Sequence, residues 1–544
     1  MSLPIPAPAP ARGPTLRLVC INDVYTLENL PRLRTLVQEQ ARVDPADLLL
    51  TILAGDFVGP SMLSSLDFGR GMVDCLNAVP ITLVVLGNHE ADIPVAELRA
   101  RIAEFRGTWL STNVIGLDPK LLPSRILDVG HAGSRRVRVG LVGVVMDDPA
   151  VYCAGPFGGA TLLPANETAL RAAAHLVDVE GCACVIPVTH QPMDADRALA
   201  RATQSPRAPR FPVIVGGHEH VVDIEEIAGT WLEKAGADAR HAVIVDLTWP
   251  AAAPAAGQPD LPAVRVRLEE VARHAEDTAL RARVEGHMRA VVALQQATLL
   301  HLAPGEALSS VGARAQQTTL GALLCARLRD ALGADGAIMN GGAIRAARAY
   351  EKHFTYGDLE AEVPFENEVV VASLPGRVLR EAIAASRAHA PLESGGYLQV
   401  DAGLVVGADQ QLVRVNGAPL DDARDYRIAL VRNLFEGLDH IEPLVRFATE
   451  SPARVPPMGS GRDIKVALVN AFSRALWDQF GTFDSIDTDH DGVVDAREIA
   501  EAITRVTAEP ASPITVELLL KAIDADHDHR ISRAEAEAAR VKPS

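Results

Sequence analysis

No stretch of this chain approaches the roughly 20 apolar residues that a membrane span requires, so the sequence is expected to carry no transmembrane segment and to have no membrane partner. Aromatic residues are scarce at 4 %, and cysteine occurs six times in 544 residues. Cys20, Cys75, Cys153, Cys182, Cys184 and Cys325 do not suggest a disulfide or zinc framework. Several lie inside apolar strand-like runs and read as reduced core thiols, with Cys182 and Cys184 alternating along one strand face. Positive charge is also in deficit. Lysine and arginine number 52 against 70 acidic residues, a net charge of −18, which argues against nucleic-acid polymers and anionic membranes as partners. Small anionic substrates remain compatible, because a bound cation sets the local potential. Met1 to Pro14 lacks the basic region and apolar core of a secretory signal, so a cytoplasmic location is expected.

The length implies several domains. Residues 15 to about 250 alternate strand-like runs with helical patterns such as Leu30 to Ala41 and Asn166 to Val177, the rhythm of βαβ units. After a Pro/Ala-rich break at Trp249 to Pro262 and a strand-like stretch from Ala263 to Leu268, a helix is predicted from about Asp277 to Ala297. A second α/β unit contains the helix Leu320 to Leu332 and the strand Ala337 to Met339. A third, all-helical unit surrounds two acidic loops. The predicted divisions are 15–272, a linker helix over 273–304, 305–455, and 463–540.

Chemistry concentrates after the apolar runs of the first unit. Asp23-Val24-Tyr25, Gly55-Asp56, Gly87-Asn88-His89-Glu90 with Asp92, Thr189-His190 and Gly217-His218-Glu219-His220 mostly follow the runs Leu16–Ile21, Leu48–Ala54, Ile81–Leu86, Cys184–Val188 and Phe211–Val215. This places polar groups at the carboxyl ends of buried strands, where α/β sheets form ligand sites. Carboxylates, an amide and imidazoles are the donors that a pair of divalent ions about 3.5–4 Å apart requires. His241 and His301 have no such company in the sequence and read as ordinary residues.

This ordered set resembles the metallophosphoesterase (calcineurin-like) superfamily, and residues 15 to about 450 resemble its 5′-nucleotidase branch. The resemblance implies a four-layer α/β/β/α metallophosphoesterase domain followed by an α/β 5′-nucleotidase carboxyl-terminal domain that binds substrate. It makes Asp56 the bridging ligand, places Asp23 and His220 on one metal, and gives Asn88, His190 and His218 to the other. His89 becomes the catalytic histidine and Asp92 its orienting carboxylate, with a metal-bridging hydroxide attacking phosphorus in line. The metals would be transition ions such as Mn, Zn or Fe. The family usually has Asp-x-His where this chain has Asp23-Val24-Tyr25. Tyr25 is then either a tyrosinate ligand, favouring a trivalent ion such as iron, or a wall residue with one ligand lost.

The second unit contains Arg314, Thr319-Leu320-Gly321, Met339-Asn340-Gly341-Gly342-Ala343-Ile344-Arg345 and Pro364-Phe365-Glu366-Asn367. The glycines permit a sharp turn after a strand, and arginine offers a planar fork for phosphate. By resemblance, Arg314 and Arg345 contact phosphate or substrate, Asn340 contacts a base and Phe365 stacks on it. The family's second stacking aromatic precedes a Gly-Gly-Asp turn. This chain reads Asn433-Leu434-Phe435-Glu436-Gly437-Leu438-Asp439 there, so either Phe435 takes over or no aromatic sandwich exists.

The run Asp487-Thr488-Asp489-His490-Asp491-Gly492-Val493-Val494-Asp495-Ala496-Arg497-Glu498 fits the twelve-residue EF-hand calcium loop, with Asp487, Asp489, Asp491, Val493, Asp495 and Glu498 at the ligating positions. A second loop offers Asp524, Asp526, Asp528, Arg530, Ser532 and Glu535. There His529 replaces the turn glycine, so a bulkier residue must take positive φ and weaker calcium binding is expected. Val494 and Ile531, the apolar eighth positions, are predicted to pair the loops. Helices are predicted to flank them over Val466–Phe480 and Val516–Ile523.

The leading reading is a metal-dependent phosphoester hydrolase acting on a small phosphorylated substrate, a nucleotide by the 5′-nucleotidase resemblance, with a calcium-binding tail. The same scaffold supports 2′,3′-cyclic phosphodiesterase, sugar-nucleotide hydrolase and thiosulfohydrolase activities. From a different class, Tyr25 and the altered turn near Gly437 suit a calcium-responsive binding protein on a decayed phosphoesterase scaffold.

Overall fold

The computed structural model describes residues 13–43, 46–131, 135–152, 155–203, 209–255, 258–365 and 367–540. Most of the opening segment read for a signal, Cys153 and Glu366 lie outside the described residues. The chain divides into two units, residues 1–287 and 288–544.

Two six-stranded sheets form the first unit. One runs in the order Ala263–Glu270, His241–Thr248, Thr15–Ile21, Leu48–Leu53, Leu83–Val85, Thr108–Leu110; the other runs Val222–Ile227, Thr230–Ala235, Val213–Gly217, Cys184–His190, Val137–Val145, Ser124–Val129. The last four strands of the first sheet are mutually parallel, as are Val137–Val145, Cys184–His190 and Val213–Gly217 in the second. Each parallel step needs a crossover, so the chain leaves these strands at the same edge. Leu18, Cys20, Ile52 and Val85 of the first sheet share a buried cluster with Leu141, Cys184, Ile186 and Val215 of the second. On the second sheet's other face, Val142, Val144 and Val185 pack with Ala169 and Ala173 of helix Ala165–Asp178 and Leu199 of helix Met193–Ala202. Residues alternating with the inner-face set, such as Val19, Leu53 and Val84, are equally buried. That two-sided burial explains the near-continuous apolar runs in the sequence.

The five described cysteines are free and buried. Cys182 and Cys184 do not share a face. Cys184 opens its strand and faces the other sheet, whereas Cys182 sits in the turn before it and packs on the helix side. The two-residue alternation holds only inside a strand.

The helix Thr278–Leu294 spans the division between the units. A mixed sheet in the order Leu398–Val400, Gly336–Asn340, Asp425–Val431, Glu368–Pro375, Arg462–Asp463 organises the second unit. The edge strand Arg462–Asp463 leads directly into helix Ile464–Trp477, where the Asp463 side chain accepts from the Lys465 and Val466 amides as an N-cap. The helix stops three residues short of the predicted Phe480. Gly481, at φ 93, breaks the chain after a single turn at Asp478–Phe480, and a new four-residue helix, Phe483–Ile486, enters the loop. Trp477, Ile486, Val494, Ile503, Leu519 and Ile531 then form a separate buried cluster among the carboxyl-terminal helices.

Candidate metal centre

The parallel strands deliver their polar residues to one edge by tight, strained turns. Asp23, Asp56 and His218 have φ of 52, 56 and 87, conformations that L-residues adopt rarely and that cluster at functional sites. Two glycines allow the close approach. A Cβ on Gly87 would lie 2.1 Å from Asp56 Oδ1, and one on Gly217 would lie 2.1 Å from the Ala54 carbonyl.

The predicted ligands converge. His190 Nε2 lies 3.1 Å from Asp56 Oδ2 and 3.2 Å from Asn88 Oδ1, and the His190 and His218 rings are 5.4 Å apart. His220 Nε2 lies 3.5 Å from Asp23 Oδ1. The Tyr25 hydroxyl stands among these groups, 3.2 Å from Asp23 Oδ1, 3.3 Å from Asp56 Oδ2 and 3.1 Å from His220 Nε2. One donor atom each from Asp23, Asp56 and His190 falls within 4.8 Å of the others. Two almost fully buried carboxylates, an amide, three imidazoles and a phenol therefore share one small volume, a donor set that fits a pair of cations. At its margin His89 Nδ1 is 2.6 Å from Asp92 Oδ2, while the His89 amide donates to Asp56 Oδ1 at 2.9 Å.

The electrostatics follow from burial and neighbours. Burial opposes charge on Asp56, yet His190 and His89 hold it well below the usual carboxylate range. Burial also disfavours the His89 imidazolium, but Asp56 and Asp92 overcome this and raise it to about 10. His190 is raised to about 9 against its own desolvation by Asp56 and Asp23. Desolvation and the adjacent His190 push His218 down to about 3. Burial, Asp56 and Asp23 push the Tyr25 phenol well above its ordinary value.

Several supports escaped the sequence analysis. Glu90 accepts from the amides of Asp56, Phe57, Val58 and Gly87, tying two ligand loops together. Lys234, with a fully buried side chain, pairs with Asp196 at 2.9 Å and with Glu219, and donates to the carbonyls of Gln191 and Gly217 at 2.7 Å each. It thereby holds the segments bearing His190, His218 and His220. Asn22 donates to Asp23 Oδ2 and accepts from the Ala235 amide. Glu90 lies inside a motif that was read; Lys234 and Asn22 offered only the signal of polar residues in or beside an apolar run.

The second unit treats its predicted residues unevenly. Asn340 is buried and donates to Asp439 Oδ2 at 2.6 Å, and its own Oδ1 is buried without a hydrogen-bond partner among the described residues. Asp439, at φ 58 and outside the predicted set, also lies close against Gly342 and Gly395. Phe365 is 46 % exposed, with the Arg345 guanidinium 5.5 Å from its ring centroid. Arg314 is half-buried. Phe435 differs from the expectation of a stacking surface: it is 4 % exposed and packs 6.2 Å from Phe447. It sits in the short turn Arg432–Glu436, which buries Leu434 and Phe435 together.

In the carboxyl-terminal loops Val494 pairs with Ile531 across a two-residue antiparallel ladder. Gly492 and His529 take φ of 91 and 66, and their amides donate to Asp487 Oδ2 and Asp524 Oδ2. Asp487 Oδ1 is buried with no hydrogen-bond partner among the described residues, which suits a cation ligand. Glu498 and Glu535 fold back over their loops to accept from the amides of Thr488 and Ala525. His301, read as solitary, lies in a cluster with His353 and Glu509.

Residues 16–222 match the calcineurin-like phosphoesterase family model, 296–446 the 5′-nucleotidase C-terminal domain, and 480–539 the EF-hand domain pair. Protein UshA of Yersinia enterocolitica is 35 % identical over 118 residues, 21 % of each chain, so the chain spans about a fifth of the length of the curated relatives it matches. The structure of Haemophilus influenzae NAD nucleotidase aligns with a TM-score of 0.62 at 14 % identity, covering 84 % of this chain and 94 % of that one. That of a 5′-nucleotidase precursor from Thermus thermophilus aligns with a TM-score of 0.51 at 22 % identity, covering 79 % and 92 %. The polypeptide thus carries, in order, a calcineurin-like phosphoesterase region, a 5′-nucleotidase C-terminal domain and an EF-hand domain pair, on a two-domain α/β fold of 5′-nucleotidase architecture.

Proposed function

We propose that this protein is a metal-dependent phosphoester hydrolase acting on nucleotides or closely related small phosphoesters, with calcium bound by its carboxyl-terminal loops. The observation that carries the reading is the convergence of Asp23, Asp56, Asn88, His190, His218 and His220 at one sheet edge, with the His89–Asp92 pair beside them. Divalent cations held by those residues supply charge neutralisation for phosphoryl oxygens and a water of lowered pKa. The chain's own contribution is positional. Asp56 lies between the two ligand groups, and Glu90 and Lys234 fix the turns that bear them. Asp92 orients His89, whose raised pKa keeps a proton available at neutral pH for the developing charge on the phosphoryl or leaving oxygen.

Tyr25 belongs to the same proposal as a ligand on the side of Asp23 and His220. Its hydroxyl occupies the space between them, and because burial opposes phenolate, only a cation there would draw off its proton. A charge-transfer band in iron-loaded protein that disappears in Tyr25→Phe supports ligation; an unchanged spectrum refutes it.

The nucleotide part of the reading is supported by the 5′-nucleotidase C-terminal domain match and the exposed Phe365. The buried Phe435 favours a one-sided contact with a base over an aromatic sandwich. Cytoplasmic residence is part of the same reading, supported by the free thiols. A panel of nucleoside monophosphates, a 2′,3′-cyclic nucleotide and an aryl phosphate, assayed with Mn, tests it. Preference for a nucleotide that falls in Phe365→Ala supports the assignment, and equal rates on the aryl phosphate overturn it. A chain without hydrolysis on any of them is instead a binding protein on this scaffold.

A further inference from the structure

Outside the first unit, one cluster brings together residues that the function above does not use. Strand Thr298–His301 pairs antiparallel with strand His353–Thr355, and the register sets His301 directly opposite His353. Their rings meet edge to face, 5.1 Å between centroids. Over this pair lies Glu509, in the linker between helix Ala496–Thr507 and helix Pro513–Ile523, which carry the residues leaving the first calcium loop and entering the second.

The distances separate two interpretations. His353 Nε2 is 3.5 Å from Glu509 Oε1, and His301 Nδ1 is 4.0 Å from Glu509 Oε2. Both are too long for hydrogen bonds. The shorter is close to the edge of a tetrahedron around an ion with bonds of about 2.0–2.1 Å, which is roughly 3.3 Å, and the longer exceeds that edge. One donor atom from each residue lies within 4.8 Å of the other two. His353 Nδ1 is buried and has no hydrogen-bond partner among the described residues, so that nitrogen is not engaged in holding the fold. A cavity of about 30 Å³ opens beside His301, enough for a water as a further ligand.

We propose that His301, His353 and Glu509 form a binding site for a divalent transition ion, zinc foremost, distinct from the phosphoesterase centre and from the calcium loops. Two imidazoles and one carboxylate suit that class of ion and not calcium or magnesium, which prefer oxygen donors throughout. The bound ion would fasten the linker between the two EF-hand loops to the first strand pair of the second unit, so that the calcium module and the 5′-nucleotidase domain share one cross-link.

The test is zinc stoichiometry in the full chain after calcium saturation, measured by elemental analysis following dialysis against buffered zinc. His301→Ala and His353→Ala are each expected to retain one zinc per chain fewer than the unmodified protein, while His241→Ala retains the full number. Repeating the series on an Asp56→Ala background separates this site from the phosphoesterase centre: the difference of one zinc persists whether or not that centre loads. Glu509→Gln, which removes a ligand charge from an exposed linker and leaves the fold intact, is expected to weaken zinc retention at least tenfold in the dialysis series. Zinc is also expected to slow amide hydrogen exchange over residues 506–511 in the unmodified chain and not in His353→Ala. Equal zinc counts across all variants, or exchange in that linker that zinc does not alter, overturn the proposal.

Discussion

The two kinds of ion site in this chain are built in opposite ways. At the phosphoesterase centre the donors come from five separate strand ends and are largely buried, held by hydrogen bonds between residues far apart in sequence, such as Glu90 to the Asp56 loop and Lys234 to the turns beside His190 and His218. Each EF-hand loop takes its donors from twelve consecutive residues, and many of these are exposed. The first design makes geometry depend on the whole fold. The second makes it depend on local backbone conformation, so damage should spread differently from each.

The largest contrast is in catalysis. Replacing His89 with Ala is expected to lower kcat on an aryl phosphate with Mn by about 10²–10⁴-fold, whereas Glu498→Gln in the first calcium loop leaves kcat in calcium-free buffer unchanged. Steady-state kinetics on both variants checks this, and a similar loss in both would erase the distinction.

Next is stability. Lys234→Met leaves Asp196 and Glu219 without their buried cation, and such uncompensated charges destabilise by about 3–5 kcal/mol. Urea unfolding followed by the tryptophans of the first unit should show the loss, together with lower metal retention at the centre. Neutralising Asp489, an exposed loop acid, should move the same transition by less than about 0.5 kcal/mol.

Glu233 gives a pH-dependent version of this test. Burial raises its carboxyl from the ordinary range to about 8, against the Cys20 thiol and the Lys234 charge, which draw it down. Between about pH 4.5 and 8 the native state therefore binds more protons than the unfolded one, and this residue's contribution to stability declines as pH rises. Glu233→Gln should raise Tm at pH 8 and have much less effect at pH 5. Equal shifts at both pH values would contradict the burial argument.

The smallest effect belongs to the second calcium loop. His529 holds φ 66 in that loop, a left-handed conformation that costs a non-glycine residue roughly 1–2 kcal/mol. His529→Gly is expected to stabilise the calcium-free EF-hand pair by about 1 kcal/mol or less, since glycine's greater freedom in the unfolded chain offsets part of the relief. Calorimetry of the full chain reads this.

The same contrast explains what the sequence could and could not convey. The calcium loops were legible residue by residue, including the Val494–Ile531 pairing, because spacing alone defines them. The strand ends bearing Asp23, Asp56, Asn88, His190 and His218 were legible because parallel sheets buried on both faces leave long apolar runs with polar termini. Lys234 was not, because its partners meet it only through the registers of three neighbouring strands. His301 looked solitary for the same reason: nothing in its vicinity along the chain announces His353 or Glu509. Phe435 and Cys182 were misplaced by local rules, one by likeness to an aromatic position and the other by extending strand alternation into a turn. The helix predicted over Val466–Phe480 gives way after Trp477 to a single tighter turn that Gly481 closes.

The most direct test of the central claim is anomalous diffraction from crystals grown with manganese. Two peaks about 3.5–4 Å apart, with Asp56 contacting both, Asp23 and His220 on one, and Asn88, His190 and His218 on the other, are the predicted result. Fully ordered side chains at those positions with no anomalous density within bonding distance of Asp56, in protein saturated with the ion, would contradict it.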